Sequence, residues 1–401
     1  MTATLSSPAN LKPNPAWASL PLFDRTGWKR MAFGEFAESI GERAEPKDAQ
    51  EEIYVGLEHL DPQCLHIRRW GKGSDVIGGK LRFRKGDIIF GKRRAYQRKL
   101  AVAEFGGICS AHAMVIRARP DKVLPEFLPF LMMSDRFMNR AVEISVGSLS
   151  PTINWTTLKL ETFDLPPLDQ QRRIAEILWA VDEATQGKIQ LLAAIQNLLS
   201  QVQTAHFEKS DHNARLSNAV VASAYGPRFS NSLYSDVGSV AQLRTTDIDD
   251  QGKIDYSTIP RANLTVREMH SHILEDGDFL ISRSGTCGIG AVYRESGIPT
   301  IPGAFLIRLR LDKTLLADYL REYINSSVGR KHMDRLAAGG VQKNIRGSSL
   351  LSEQVPMPPV KEQARFLADV NEKRACFAEC SAAIEAERQL LSSLLNSLFS
   401  S

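Results

Sequence analysis

Nine consecutive residues carry the chain's densest concentration of polar chemistry: Gly91-Lys92-Arg93-Arg94-Ala95-Tyr96-Gln97-Arg98-Lys99. Ammonium and guanidinium groups hold phosphates, and an amide pairs with an adenine edge, so this segment offers both positioning and base reading on DNA. It closes a longer basic run, residues 80–99, in which nine cations face one acid, Asp87. Taken alone, such a run equally suits a solvated strand-and-loop face. Three further segments display hydroxyl, amide and cationic groups among small residues. The first is Ser282-Arg283-Ser284-Gly285-Thr286-Cys287-Gly288, with Arg283, Ser284 and Thr286 as candidates for DNA contact. The second runs from Gly147 through Ser148, Ser150 and Thr152 to Asn154. The third runs from Gly339 through Gln342, Lys343 and Asn344 to Ile345; here Gln342 and Asn344 suit adenine and Lys343 a phosphate or guanine. Tyr225 and Arg228 are weaker candidates, because Tyr-Gly-Pro is also a common turn.

Catalytic constellations are missing from the sequence, so no catalytic residue is expected. No Gly-x-x-x-x-Gly-Lys phosphate loop occurs, and residues 285–290 lack the lysine that would follow. The Asn-Pro-Pro-Tyr tetrad of amino-methyltransferases is also missing. His270 and His272 have no neighbouring ligand cluster, and Cys376 and Cys380, one helical turn apart, have no histidine to complete a tetrahedron, so no metal is expected. Asp87 and Asp278 sit at turns before strands. The five cysteines form no Cys-x-x-Cys pair, which suits a reducing cytoplasm. A net charge of +4 excludes little. No stretch of 18 apolar residues is present, so a membrane span is not expected, and residues 1–25 read as a loose tail.

The elements that position these segments repeat. Arg84-Lys85-Gly86-Asp87-Ile88-Ile89-Phe90 resembles Glu275-Asp276-Gly277-Asp278-Phe279-Leu280-Ile281, 191 positions on, and Ala113–Arg117 matches Ala304–Arg308 at the same offset. From Glu126 onward the offset is 192, pairing Ile153 with Ile345, Pro166-Pro167 with Pro358-Pro359 and Gln171 with Gln363. The chain reads as two copies of one unit. Gly-Asp followed by apolar residues predicts a turn entering a buried strand, with a second strand at 113–119 and 304–310. Helices are predicted over 125–142 and 315–337, giving an α/β or α+β globule with a mixed sheet.

Each diproline makes a stiff stop before a long helical pattern. Steps of four and three residues along the first trace Ile174, Leu178, Val181, Leu192, Ile195, Leu199 and Val202, with Lys188 a polar interruption. The second traces Phe366, Val370, Phe377, Ile384, Leu391 and Leu394, interrupted at Lys373 and Glu387. Both are coiled-coil seams. If the helices pack antiparallel, the globules sit at opposite ends of a rod roughly 57 Å long, at about 1.5 Å per residue. The expected domains are a tail at 1–25, recognition globules at 26–168 and 208–359, and helices at 169–207 and 360–401.

This pattern resembles the specificity subunits of type I restriction–modification systems. The resemblance covers residues 28–399 and is carried by Leu165-Pro166-Pro167-Leu168-Asp169-Gln170-Gln171-Arg172-Arg173-Ile174 and by Pro356-Met357-Pro358-Pro359-Val360-Lys361-Glu362-Gln363. Leu243-Arg244-Thr245-Thr246-Asp247-Ile248 resembles the start of such a recognition domain, which adds Arg244 to the DNA candidates. The resemblance implies that each globule reads half of a split, asymmetric DNA target. It implies that the helices form the spacer and dock two adenine-N6 methylation subunits using S-adenosylmethionine, and that two ATP- and Mg-dependent translocase–nuclease subunits join them. No cofactor is expected on this chain. The halves align only patchily before Arg84 and Glu275, so unlike half-sites are expected. Two other readings stay open: a coiled-coil scaffold joining two protein-binding modules, and the specificity component of a related fused restriction–methylation enzyme.

Overall fold

The computed structural model describes residues 23–337 and 343–399, which fall into two compact units. The first comprises the chain up to Ile189 together with the C-terminal segment from Ala382; the second is Gln190–Ser381.

In the first unit the apolar triplet after Gly86-Asp87 forms the strand Ile88–Phe90 inside an antiparallel sheet. The order is Ala37–Ile40, Met114–Ala118, Ile88–Phe90, Leu100–Val102. Alternation along these strands sends Ile88, Phe90, Met114 and Ile116 to one face, where they pack with Phe33, Phe36, Phe130 and Phe137. Ile89, Ala101 and Val115 point the other way, to Val55, Phe83 and Cys109 of a second sheet. That sheet has five strands and pairs Ile53–Val55 in parallel with Gly107–Cys109.

The second unit has the same central order: Val220–Tyr225, Leu306–Leu311, Phe279–Ser282, Gly290–Val292. Its second sheet has only three strands, again with one parallel pair, Val240–Leu243 with Thr300–Pro302.

The two Gly-Asp turns are built alike. Gly86 and Gly277 take φ of 92° and 86°, which a side chain would strain. Asp87 and Asp278 each accept the amide three residues back, at 2.8 and 2.9 Å, and each pairs with a strand arginine, Arg117 or Arg310. This pairing corrects the alignment of the strands. Ile88 lies opposite Ile116, and Phe279 lies opposite Leu309, so Arg117 corresponds to Arg310 and not to Arg308.

Each predicted globule helix is two helices: Leu128–Met133 and Asp135–Glu143, then Ala317–Asn325 and Ser327–Leu336. Ser134 and Ser326 break them, their hydroxyls accepting from Phe137 N at 3.2 Å and Gly329 N at 3.1 Å. Such caps contribute about 1 kcal/mol each.

Leu168–Glu208 and Val360–Phe399 are continuous helices. Their junction with the globules explains the glutamine after each diproline. Gln171 is fully buried, donating to Lys122 O (3.1 Å) and Pro166 O (2.9 Å) and accepting from Leu124 N (2.8 Å). Gln363 does the same with Thr314 O, Pro358 O and Leu316 N, all at 2.8 Å. The seam residues are buried or half-buried, with Val181, Leu192, Leu199, Val202, Phe377 and Leu394 in the second group. Within the first unit Ile174 and Leu178 share a core with Leu391, Leu395 and Leu398. Two of the polar interruptions answer each other there: Glu387 accepts from Lys188 and, at 3.1 Å, from Thr185. Within the second unit Leu199, Val202 and Phe207 pack with Phe366 and Val370.

Candidate nucleic-acid interface

In the first unit the basic segment leaves the strand Ile88–Phe90 and folds over a short turn, Ala95–Gln97, whose Ala95 is buried. Arg94 and Arg98 flank it in the left-handed region, at φ of 57° and 52°. The residue 147–154 segment lies directly against it. Ile153 N donates to Lys92 O at 2.9 Å, Arg94 N donates to Pro151 O at 2.8 Å, and Arg93 bridges to Thr152. The small-residue loop is itself closed by reciprocal bonds between Val146 and Thr152, of 3.0 and 2.9 Å. Two segments 60 residues apart in sequence are thus one surface.

Side chains on that surface divide into two groups. Arg98 is ion-paired with Asp135, and Lys99 donates to Leu57 O at 2.8 Å, so both brace the loop. Arg94 and Tyr96 are exposed, as are Ser148 and Asn154; Lys92, Arg93, Gln97, Ser150 and Thr152 are half-buried. Arg93 donates to His112 Nε2 at 3.1 Å. Partial burial and the charges of Arg93, Lys92 and Lys80 hold the His112 imidazole below its ordinary value, so it accepts that bond as a neutral ring. The sequence reading missed His112, which sits alone before Met114–Ala118 with no motif around it.

The second unit brings together the matching pair. Ile345 N donates to Arg283 O at 2.9 Å, and Ser284 bridges to Asn344. Arg283 Nε donates to Asn344 Oδ1 at 3.3 Å while its guanidinium lies 4.5 Å over the Tyr225 ring. Tyr225 in turn accepts from Gly347 N at 2.9 Å, so it orients Arg283. Thr286 and Lys343 are exposed, the latter paired with Asp334 at 3.5 Å. Gln342 lies outside the described residues. Arg228 is exposed in the loop after Tyr225. Arg244 belongs elsewhere: it is clamped to buried Asp247 (2.6 and 3.1 Å), which holds its basicity above the ordinary value, and reaches Thr258 O.

The surface offers hydrogen-bond donors and cations on a hydrogen-bonded frame. Among the described residues, no group of three or more His, Cys, Asp or Glu could hold a metal, and no helix is long and apolar enough to cross a membrane.

Comparison with known proteins points the same way. Residues 26–197 match the family model described as type I restriction modification DNA specificity domain. The chain is 24% identical over 305 residues to the type I restriction enzyme EcoKI specificity subunit of Escherichia coli K12, a match covering 70% of this chain and 64% of that one. It therefore spans less than two thirds of that relative's length. Among solved structures, a chain of a type I restriction–modification system superposes with a TM-score of 0.62 at 23% identity, over 93% of this chain and 98% of that one. The HsdS subunit from Thermoanaerobacter tengcongensis superposes with a TM-score of 0.51 at 22% identity, over 93% and 96%. At these identities the structures establish a shared mixed α/β fold.

Proposed function

We propose, from the match of residues 26–197 to the type I restriction modification DNA specificity domain, that this chain is the non-catalytic DNA-reading subunit of such a complex. Residues 26–168 and 208–359 are its two recognition domains, copies of one ancestral unit, and each reads half of a bipartite, asymmetric target. The helices at 169–207 and 360–401 pair as an antiparallel coiled coil that sets the spacer and docks two methylation subunits. Methyl transfer with S-adenosylmethionine and ATP- and Mg-driven cleavage reside on partner subunits, in a cytoplasmic assembly.

One observation carries this reading: in each unit two sequence-distant polar loops are hydrogen-bonded into one surface beyond the end of an interior strand of its central sheet, Ile88–Phe90 or Phe279–Ser282. Lys92, Arg93 and Arg94 supply phosphate contacts, and Gln97, Asn154, Arg283 and Asn344 supply base-edge contacts. A protein-binding scaffold would show no affinity for DNA through this surface. DNA affinity through this surface falls steeply with salt.

The test is co-expression with the neighbouring methylation gene, followed by single-molecule sequencing of host DNA for N6-methyladenine. A split, asymmetric motif methylated only when this chain is present is the expected result. A stable complex without such methylation would overturn the reading in favour of the scaffold.

A further inference from the structure

Away from the reading loops, one concave surface occurs in both units at equivalent positions. In the second unit a cleft of about 870 Å³ opens between the helix Ser327–Leu336 and the strand pair Asn213–Arg215 and Gln354–Pro356. In the first a cleft of about 510 Å³ opens between Asp135–Glu143 and the pair Lys29–Ala32 and Thr162–Leu165. Six lining positions correspond at the offset of 192, among them Arg140 with His332, Glu143 with Arg335 and Glu161 with Glu353. Arg30 and Asn213 occupy the same register, opposite Asp164 and Pro356, while Glu161 and Glu353 precede the facing strands.

What differs is how the carboxylate is covered. Arg140 donates to Glu161 at 2.6 and 3.1 Å and to Glu143 at 2.9 Å, so the first cleft is filled from within. At the matching position the second unit has His332, whose ring bonds the Tyr323 hydroxyl, and Glu143 is replaced by Arg335. Burial and Arg335 hold His332 below its ordinary value against the pull of Glu353, and no hydrogen bond or ion pair joins the two side chains. The Glu353 side chain makes no ion pair or hydrogen bond among the described residues, although it lines a wider cleft. The lining carries both signs, Lys331 and Arg335 beside Glu208, Asp334 and Glu353. That mixture gives a polyanion such as DNA little net attraction and suits a polypeptide with interspersed charges.

We propose that the second unit's cleft seats a polypeptide segment of the methylation subunit, whose arginine or lysine takes on Glu353 the place that Arg140 fills on Glu161. The inference rests on the specificity-subunit reading above. It implies that the two docking events are unequal, the second unit holding its partner through a contact that the first satisfies internally.

The experiment uses the full chain and the purified methylation subunit, titrated by native mass spectrometry, with DNA binding followed in parallel. His332→Arg places an arginine where the first unit has Arg140 and gives Glu353 a partner within the chain, at the cost of the bond to Tyr323; Glu353→Gln removes the charge and leaves that bond in place. Both variants should weaken loading of one methylation subunit by about tenfold or more, which is about 1.4 kcal/mol, and leave loading of the other and DNA affinity unchanged. Wild-type loading by both variants overturns the proposal. So does a changed DNA affinity with unchanged loading, which would make the cleft a DNA surface. A wild-type chain that loads no methylation subunit defeats the specificity-subunit reading itself, and the proposal with it.

Discussion

The two units share a frame and differ at what it carries. The central four-stranded sheets have the same order, the Gly-Asp turns the same bonds, and the buried glutamines the same three partners. The second sheets do not match, five strands against three, and the candidate loops carry five cations in one unit and two in the other, Arg283 stacked on Tyr225 and Lys343. Framework interactions are those that a fold cannot lose at either end. Surfaces that diverge are free to face different ligands.

The junctions between helix and globule show the same division at higher energy. Position 182 of the first long helix and position 374 of the second both carry the charge that grips the globule. Asp182 bonds His66 Nε2 at 2.5 Å, and Arg374 pairs with Glu322, which also accepts from Gln203 at 2.8 Å and Arg321 at 3.0 Å. Glu322 is buried, and without Arg374 it keeps only Arg321 and Gln203 as partners. Arg374→Ala should therefore destabilise the second unit by about 3 kcal/mol, the lower end of the cost of breaking a buried pair, and leave the first nearly unaffected. Hydrogen exchange resolved by unit would check this, and equal losses in both would break the comparison.

Next in size come Gln171→Ala and Gln363→Ala. Each strands an amide and two carbonyls and should cost its own unit about 3 kcal/mol, by the same exchange measurement. A strong asymmetry between them would mean that the shared frame is not equally used.

On DNA, Arg93→Ala with Arg94→Ala should weaken binding roughly uniformly across sequences and lower the salt slope by about 2. Arg283→Ala should instead cost about 1–3 kcal/mol at particular bases. Fluorescence titrations at several salt concentrations separate the two behaviours.

The smallest effect is on pH, and its sign differs between units. The bond to Asp182, with help from Glu104, raises the His66 value against its burial, so its contribution is complete below about pH 6.5 and is lost as pH rises through the higher folded value. His206, stacked on Phe366 at 4.0 Å, is lowered by burial. Its junction is intact above about pH 6.5 and weakens as pH falls through that point toward the lower folded value. Unit-resolved exchange at mildly alkaline and mildly acidic pH should show first one junction loosen, then the other.

Much of the frame was legible because it rests on local signals: a glycine that must take positive φ, a diproline stop, and apolar spacing along the helices. The strand alignment was two residues off for a physical reason. Side chains alternate with period two, so a slip of two keeps every apolar residue on its face, and the strand pairing together with the Asp278–Arg310 bridge reveals the true register. The breaks at Ser134 and Ser326 were hidden because a one-residue cap barely disturbs helical spacing. In the candidate interface the cationic loop could be read as a segment. The inward turn of Arg98 and Lys99 depends on Asp135 and Leu57, which sequence proximity does not disclose.

The most direct test of two reading surfaces on one frame is the methylated motif itself. Host DNA would be sequenced for N6-methyladenine after co-expression of the methylation subunit with wild type, Gln97→Ala and Asn344→Ala chains. Relaxation of one half of the motif by Gln97→Ala and of the other half by Asn344→Ala is the predicted result. Relaxation of the same half by both, or an unchanged motif in both, would contradict it.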